Sequence, residues 1–382
     1  MAVIVASAVA WSGCAAQREA NSRDDIDAAV ASLMERERVP GMAIAVIDGE
    51  TTTIRCFGVA DREGGGLVTP ATIFELGSIS KTYTALLAAD VVIEGALDLS
   101  DPASRHLPEL AGSPIGEATA IHLATYVAGG LPLQVPESVT DATLVDYLRG
   151  WKPEFVPGAT RLYSNPSIGL FGMIAARAAG ADFATRMTTR VLPSLGLNQT
   201  HLHVPEHAQS LYAFGVDRDG QPRRVRPGVF DDEAYGIKAS VADVARYLRL
   251  QMNPGASPTL GEAIALTHSG WYSVGPMTQG LGWEMYPYPL PLAELIEGNS
   301  PEVLFESKAT RPPRNLGADV LYNKTGSTAG FGAYVAFAPS RRIGVAILAN
   351  RSVPINERVQ LAYEVLRSLD VDLRQPPYGA RP

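Results

Sequence analysis

The chain has 382 residues, 46% hydrophobic and 19% charged, which places it among globular proteins with material for one large core or two fused sub-domains, not among disordered chains. A net charge of −8 and the lack of any aromatic-laced basic stretch argue against a nucleic-acid groove, so an anionic ligand must be met by local cations.

Met1 to Trp11 is apolar but too short to span a bilayer, and Ser12 to Ala16 are small residues of the kind that precede a signal cleavage site. Residues 1–16 therefore read as a signal peptide-like segment, and export to the periplasm is expected. The usual basic n-region is missing, so either the true start lies upstream or the segment was trimmed. Cys14 after Ser12-Gly13 also resembles a lipoprotein box, a second-ranked reading because Trp11 replaces the usual aliphatic residue. Cys14 and Cys56 alone cannot make a disulfide framework or a thiolate metal site, and with Cys14 removed or lipidated Cys56 is an unpaired core thiol.

Asp24-Asp25 precede a predicted helix, Ile26 to Val39, with Ile26, Ala29, Val30 and Leu33 on one face, and Pro40-Gly41 ends it. Met42 to Ile47, an Asp48-Gly49 turn and Thr52 to Val59 read as a β-hairpin. The apolar run from Tyr83 to Ile93 predicts a buried helix. Arg223-Arg224-Val225-Arg226, among polar and turn residues, reads as a solvated loop. Gly332 to Phe337, a Pro339-Ser340-Arg341 turn and Ile343 to Leu348 predict a second hairpin, followed by a helix from about Asn356 to Leu369. Strands at both ends with helices between predict an α/β (α+β) chain: one antiparallel sheet from distant segments, flanked by helices, with a mainly helical sub-domain inserted roughly over 79–205.

Three short motifs carry chemistry. Ser78-Ile79-Ser80-Lys81 opens the buried helix, and residues three apart share a helix face. A serine hydroxyl is a weak nucleophile until a base takes its proton, and a lysine in a desolvated, cation-rich pocket can help do so. Alone this pattern occurs by chance in many chains and more often marks a helix start with an exposed lysine. Tyr163-Ser164-Asn165 and then Lys324-Thr325-Gly326 follow it, the last just before the Gly330 to Phe337 strand.

Ser-x-x-Lys, Tyr-x-Asn and Lys-Thr-Gly in that order resemble the signature of the penicillin-recognising serine hydrolases. Within them the chain resembles the class C (AmpC-type) serine β-lactamases, through Val39 to Met42, Phe74 to Lys81, Ala124 to Gln134, Arg161 to Gly172, Glu233 to Lys238, Gln279 to Glu284 and Asn323 to Phe337. Class A enzymes would show Ser-Asp-Asn where Tyr163-Ser164-Asn165 stands. The resemblance implies a β-lactamase/transpeptidase-like domain over 24–371, a tail over 372–382, and a cephalosporin-hydrolysing enzyme that confers β-lactam resistance.

The same resemblance implies residue roles. Ser78 is the nucleophile, the N–H groups of Ser78 and Ser327 hold the oxyanion, and Lys81, Tyr163 and Lys324 complete the catalytic set, with Tyr163 favoured as phenolate by both lysines. Gln134 and Asn165 are implied to bind the substrate's side-chain amide, and Tyr235 to wall the side-chain pocket. Thr325, Lys324 and Arg358 are implied to reach toward the substrate carboxylate, with Gly326 and Ile355 completing the binding set. Glu284 matches a family position and is expected to be structural. Ile355 and Ala329 stand where relatives carry asparagine, which leaves substrate preference open.

Other readings are weaker. His201-Leu202-His203 with His207 makes no complete zinc set, because the usual Asp and a second cluster are missing, and reads as a surface loop. No metal or cofactor is expected. No Gly-x-Ser-x-Gly elbow, Walker loop or dinucleotide fingerprint is present. The near rivals, D-alanyl-D-alanine peptidases, esterases of the same fold and a sensor that acylates and stalls, share the three motifs. The expected partner is a small-molecule β-lactam, met by a monomer with no nucleic acid and no stable membrane partner.

Overall fold

The computed structural model describes residues 25–370, so the signal-like segment, Cys14 and the tail lie outside the described residues. Among the described residues no helix is long and apolar enough to cross a membrane. The first helix, α1, covers 25–37, ending two residues earlier than expected because Arg38 turns into the left-handed region at φ 53°. The strands that matter here are β1 (Gly41–Asp48), β2 (Thr51–Gly58), β3 (Ile73–Glu75), β4 (Lys238–Ser240), β5 (Tyr272–Val274), β6 (Met277–Gln279), β7 (Glu284–Pro287), β8 (Val320–Ser327), β9 (Gly332–Ala338) and β10 (Ile343–Ala349). The helices are α2 (Ser80–Ile93), α3 (Asn165–Ala178), α4 (Asp231–Ala234), α5 (Val241–Met252), α6 (Gly261–Thr267) and α7 (Ile355–Leu369).

Eight strands form one antiparallel sheet in the order β2-β1-β10-β9-β8-β7-β6-β5. Both predicted hairpins are present, and the C-terminal one lies between β1 and the motif strand β8. The sheet is covered on both faces, which is why β1 and β10 read as nearly unbroken apolar runs. Strand periodicity still separates the faces. Met42, Ile44 and Val46 pack with Ile26, Val30 and Leu33 of α1 and Val359 and Leu366 of α7, whereas Ala43, Ala45 and Ile47 join the other core.

That second core is built around α2, whose residues Ser80 to Val91 are all buried. Ala, Leu and Val supply most of its surface, and its two buried charges are paired: Lys81 with Ser78 and the Ala234 carbonyl, Asp90 with Arg186 and Arg190. Helices α3 and α6 pack against it, so the helical layer continues past 205 through α5 and α6. Cys56 is half-buried in β2 against this core.

Two expectations need correction. The sheet takes three further strands, β5 to β7, from the middle of the chain. The basic cluster is not simply solvated: the Arg224 guanidinium lies 3.8 Å from both the Tyr212 and Phe214 ring centroids and donates to the Ala213 carbonyl at 3.0 Å. The half-buried guanidinium thus stacks on two rings and donates to the Tyr212 and Ala213 carbonyls. Arg223 pairs with Asp217 at 2.7 Å, and Arg226 is exposed.

Candidate active site

Ser78 sits in a single 3-10 turn, Gly77–Ile79, that leads into α2 and lies against the end of β8. Two glycines permit this approach. Gly77 has φ +53°, and a Cβ on it would stand 2.5 Å from the Ser327 nitrogen; a Cβ on Gly326 would collide with the Leu76 carbonyl oxygen. The turn thus lies against the Ser327 N–H one residue before Ser78. From Thr72 to Val91 every residue is buried except Ser78, which keeps partial access to solvent.

About one turn on from Ser78, the Lys81 ammonium donates to Ser78 Oγ at 2.9 Å and to the Ala234 carbonyl at 2.7 Å. The Ala234 acceptor is held in place from α2 itself, since Thr84 donates to the Glu233 carbonyl and Ser80 Oγ accepts from the Ile237 N–H at 2.9 Å. Complete burial pushes the Lys81 pKa down, and the nearby Lys324 charge adds to this, against opposing pulls from Tyr163 and Glu284.

Tyr163 is packed between cations: Lys81 Nζ lies 5.0 Å from its ring centroid, Lys324 Nζ 5.2 Å and the Arg161 guanidinium 5.6 Å. Burial alone would raise the phenol, but Lys324, Lys81 and the adjacent Ser78 hydroxyl outweigh it and hold the pKa below its ordinary value. Its oxygen is shielded from solvent and sits outside strict hydrogen-bond geometry, yet near enough to Ser78 and Lys81 to feel both.

Lys324 Nζ pairs with Glu284 Oε1 at 2.8 Å, with both side chains 2% exposed or less. Burial lowers the Lys324 pKa, but Glu284 and Tyr163 win and raise it, so Lys324 stays charged. Antiparallel pairing of β7 and β8 sets Glu284 opposite Asn323 and so beside Lys324. Glu284, expected to be only structural, is the counter-charge of the site. Arg161, not singled out from the sequence, is buried over Tyr163 and bonds Gln279 Oε1 at 3.1 Å and the Val303 carbonyl at 2.8 Å.

The remaining expected residues divide. Thr325 is buried and Ser327 exposed at the end of β8, with Gly326 between them. Asn165 is the first residue of α3, which Ser164 caps by accepting from the Ser167 N–H at 3.0 Å. The Asn165 N–H donates to the Leu133 carbonyl at 3.0 Å, which draws the exposed Gln134 to the same edge, and its side-chain oxygen is buried without a partner. Tyr235 is half-buried at the end of α4.

Arg358 corrects its expected role. Its side chain is buried and bonded to the protein: Nη1 donates to the Gly326 and Ala333 carbonyls and Nη2 to Ser327 Oγ at 2.8 Å. Three of its five N–H donors thus anchor the end of β8, while its Nε is buried without a partner. Ile355 opens α7 half-buried against the core beneath the sheet, and Ala329 is exposed at the tip of the β8–β9 hairpin. His203 lies 3.4 Å from Asp232. Among the described residues no group of three or more His, Cys, Asp or Glu could hold a metal ion.

A reachable hydroxyl, a suppressed ammonium, a suppressed phenol and a nearby backbone N–H are the parts of acyl transfer through a serine ester. Comparison with known proteins agrees. The Beta-lactamase family model matches residues 26–369. A β-lactamase of Pseudomonas fluorescens is 48% identical over 353 residues, 91% of this chain and 99% of that one. The crystal structure of a β-lactamase/D-alanine carboxypeptidase from Pseudomonas syringae superposes with a TM-score of 0.88 at 40% identity, covering 91% of this chain and 99% of that one. A class C β-lactamase in complex with cefoxitin gives a TM-score of 0.88 at 36% identity, over 92% and 99% of the two chains.

Proposed function

Because this chain belongs to the β-lactamase family and is a β-lactam hydrolase of class C type, we propose that its reaction runs through an ester on Ser78. The observation that carries this is the 2.9 Å contact between Lys81 Nζ and Ser78 Oγ, with the Tyr163 ring set between Lys81 and Lys324. Ser78 Oγ attacks the lactam carbonyl carbon while its proton passes to the coupled Lys81–Tyr163 pair. The oxyanion rests on the N–H groups of Ser78 and Ser327, and collapse breaks the C–N bond as the pair returns the proton to the leaving nitrogen. A water then attacks the ester as Tyr163 takes its proton, and when the C–O bond to Ser78 breaks Tyr163 passes that proton to Ser78 Oγ, which leaves as a hydroxyl. Since the two groups titrate together, the pair and not either residue alone sets the pH dependence.

Gln134 and Asn165 bind the side-chain amide, Tyr235 lines the side-chain pocket, and Lys324 with Thr325 faces the carboxylate. Arg358 acts on that carboxylate only by holding Gly326 and Ser327. The enzyme works as a monomer in the periplasm; cell fractionation and gel filtration check this, and a membrane-bound chain carrying a lipid on Cys14 would replace it with the lipoprotein reading.

The Pseudomonas syringae neighbour is named for both lactamase and D-alanine carboxypeptidase activity, so deacylation is the deciding step. Purified protein should turn over nitrocefin continuously, be inhibited by boronic acids that form a tetrahedral serine adduct, and be indifferent to EDTA. A penicilloyl adduct that persists for many minutes alongside cleavage of D-alanyl-D-alanine peptides would make the peptidase the correct reading.

A further inference from the structure

Glu75 lies three residues before the nucleophile, is 1% exposed, and has no part in the steps above. Three donors from three separate segments converge on its carboxylate. Tyr212 donates its hydroxyl to Oε1 at 2.6 Å, the Val225 N–H donates to the same oxygen at 2.6 Å, and Thr328 Oγ1 donates to Oε2 at 2.5 Å. A buried carboxylate is tolerated only when its lone pairs are occupied, and charge-assisted bonds of this kind are the strong ones. Two cations lie nearby without forming an ion pair with it. Lys238, its β4 register partner, spends its ammonium on the Leu202 carbonyl at 2.5 Å, and Arg224 lies over the Tyr212 ring.

The segments tied together are those that the reaction needs in register. Thr328 directly follows Ser327 and closes the β8–β9 turn by donating its N–H to the Phe331 carbonyl at 3.0 Å. Val225 belongs to the loop that continues to Gly228, where a Cβ would stand 3.3 Å from the Tyr235 hydroxyl. Glu75 itself ends β3, whose chain runs on through Leu76 and Gly77 into Ser78.

We propose that Glu75 is a positioning residue for β-lactam hydrolysis, a carboxylate clamp that fixes the Ser327 N–H through Thr328, and the side-chain pocket loop through Val225, relative to the Ser78 turn. The proposal rests on the acyl-transfer reading above. Arg358 grips the same strand end through Gly326, Ala333 and Ser327, so the segment that carries the oxyanion donor is tied both to a buried cation and to a buried carboxylate. The clamp places the donor where charge develops, so its loss is felt in the transition state more than in ground-state binding.

The test uses Thr328→Val, which removes one donor and leaves Tyr212 and Val225 on Oε1, with Thr328→Ser as the conservative rescue and Glu75→Gln as a second probe of the carboxylate. Steady-state kinetics with a cephalosporin, boronic acid affinity and thermal melting are read for each. Thr328→Val should lower kcat about tenfold and weaken the boronic acid by a similar factor, with KM within about twofold, because a misplaced oxyanion donor costs rate and not affinity for substrate. Thr328→Ser should restore both. Glu75→Gln should shift kcat and boronic acid affinity in the same direction by a smaller factor. Wild-type kcat and boronic acid affinity in Thr328→Val and Glu75→Gln, with only the melting temperature changed, would overturn the clamp; so would equal losses in Thr328→Val and Thr328→Ser. If Thr328→Val does not fold, Glu75→Gln decides by the same two readouts. Failure of the underlying reading is seen separately, as absence of nitrocefin turnover by the wild-type protein.

Discussion

Lys81, Tyr163, Glu284 and Lys324 on the floor of the site are each 5% exposed or less, whereas Gln134 and Ser327 at its edge are exposed and Tyr235 is half-buried. On the floor, charges are held by one another and by backbone carbonyls, so each group sets the proton affinity of the next. At the rim, side chains are shared with water, and a contact there replaces hydration it already had. The difference teaches where chemistry and selectivity reside: the floor fixes what bond is broken, and the rim adjusts which molecule presents it.

The contrast predicts a graded series of losses. Ser78→Ala should remove turnover by roughly six orders of magnitude, the scale for loss of a covalent nucleophile, measured with nitrocefin at high enzyme concentration. A penicilloyl adduct mapped by mass spectrometry to another residue would break the assignment. Tyr163→Phe keeps the ring packing against Tyr126, at 4.8 Å between centroids, but deletes the hydroxyl. Acylation and deacylation in stopped flow should both slow by roughly two to four orders of magnitude.

Glu284→Gln should chiefly weaken the fold, because it leaves the Lys324 ammonium buried without its counter-charge. A loss of about 3 kcal/mol in urea unfolding is expected, together with a lowered Lys324 pKa. An unchanged unfolding midpoint would mean that the pair contributes nothing to the floor.

Glu233 tests the boundary between the two regions, since it lies just under the Tyr235 rim. Burial, reinforced by Asp232 and Asp231, pushes its pKa up to about 8, so it is held uncharged at neutral pH. A carboxyl whose folded pKa exceeds its unfolded value of 4.5 contributes stability that is full below pH 4.5 and fades as pH rises through about 8. Glu233→Gln should therefore flatten stability between those pH values by roughly a few kcal/mol, read as melting temperature against pH. The smallest effect belongs to the rim: Gln134→Ala should raise KM a few-fold for amide-bearing cephalosporins with kcat within about twofold, as expected for a solvated hydrogen bond worth about 1 kcal/mol.

Much of this was legible in the sequence where the physics is local. Ser78 and Lys81 meet because they are three apart at a helix start, and both hairpins announce themselves through apolar runs broken by turn residues. What was not legible depends on distant partners. Glu284 meets Lys324 across 40 positions and Arg161 meets Gln279 across 118, so neither spacing carries a signal. β5 and β6, with three residues each, are too short to show alternation. Arg358 looked like a substrate cation because nothing in its helix reveals that its face turns toward the carbonyls of β8 and β9. Arg224 looked solvated because its stacking partners, Tyr212 and Phe214, lie outside its own segment.

The close approach of Gly77 to Ser327, and of Gly326 to Leu76, has a consequence for how this protein can change under selection. Any amino-acid substitution at either glycine introduces a side chain where backbone already stands. Mutational paths toward a new antibiotic are therefore closed at the nucleophile turn and at the end of β8. Room for change remains at exposed positions such as Arg226, Leu133 and Ala329 at the hairpin tip, where a new side chain meets solvent or substrate before it meets backbone.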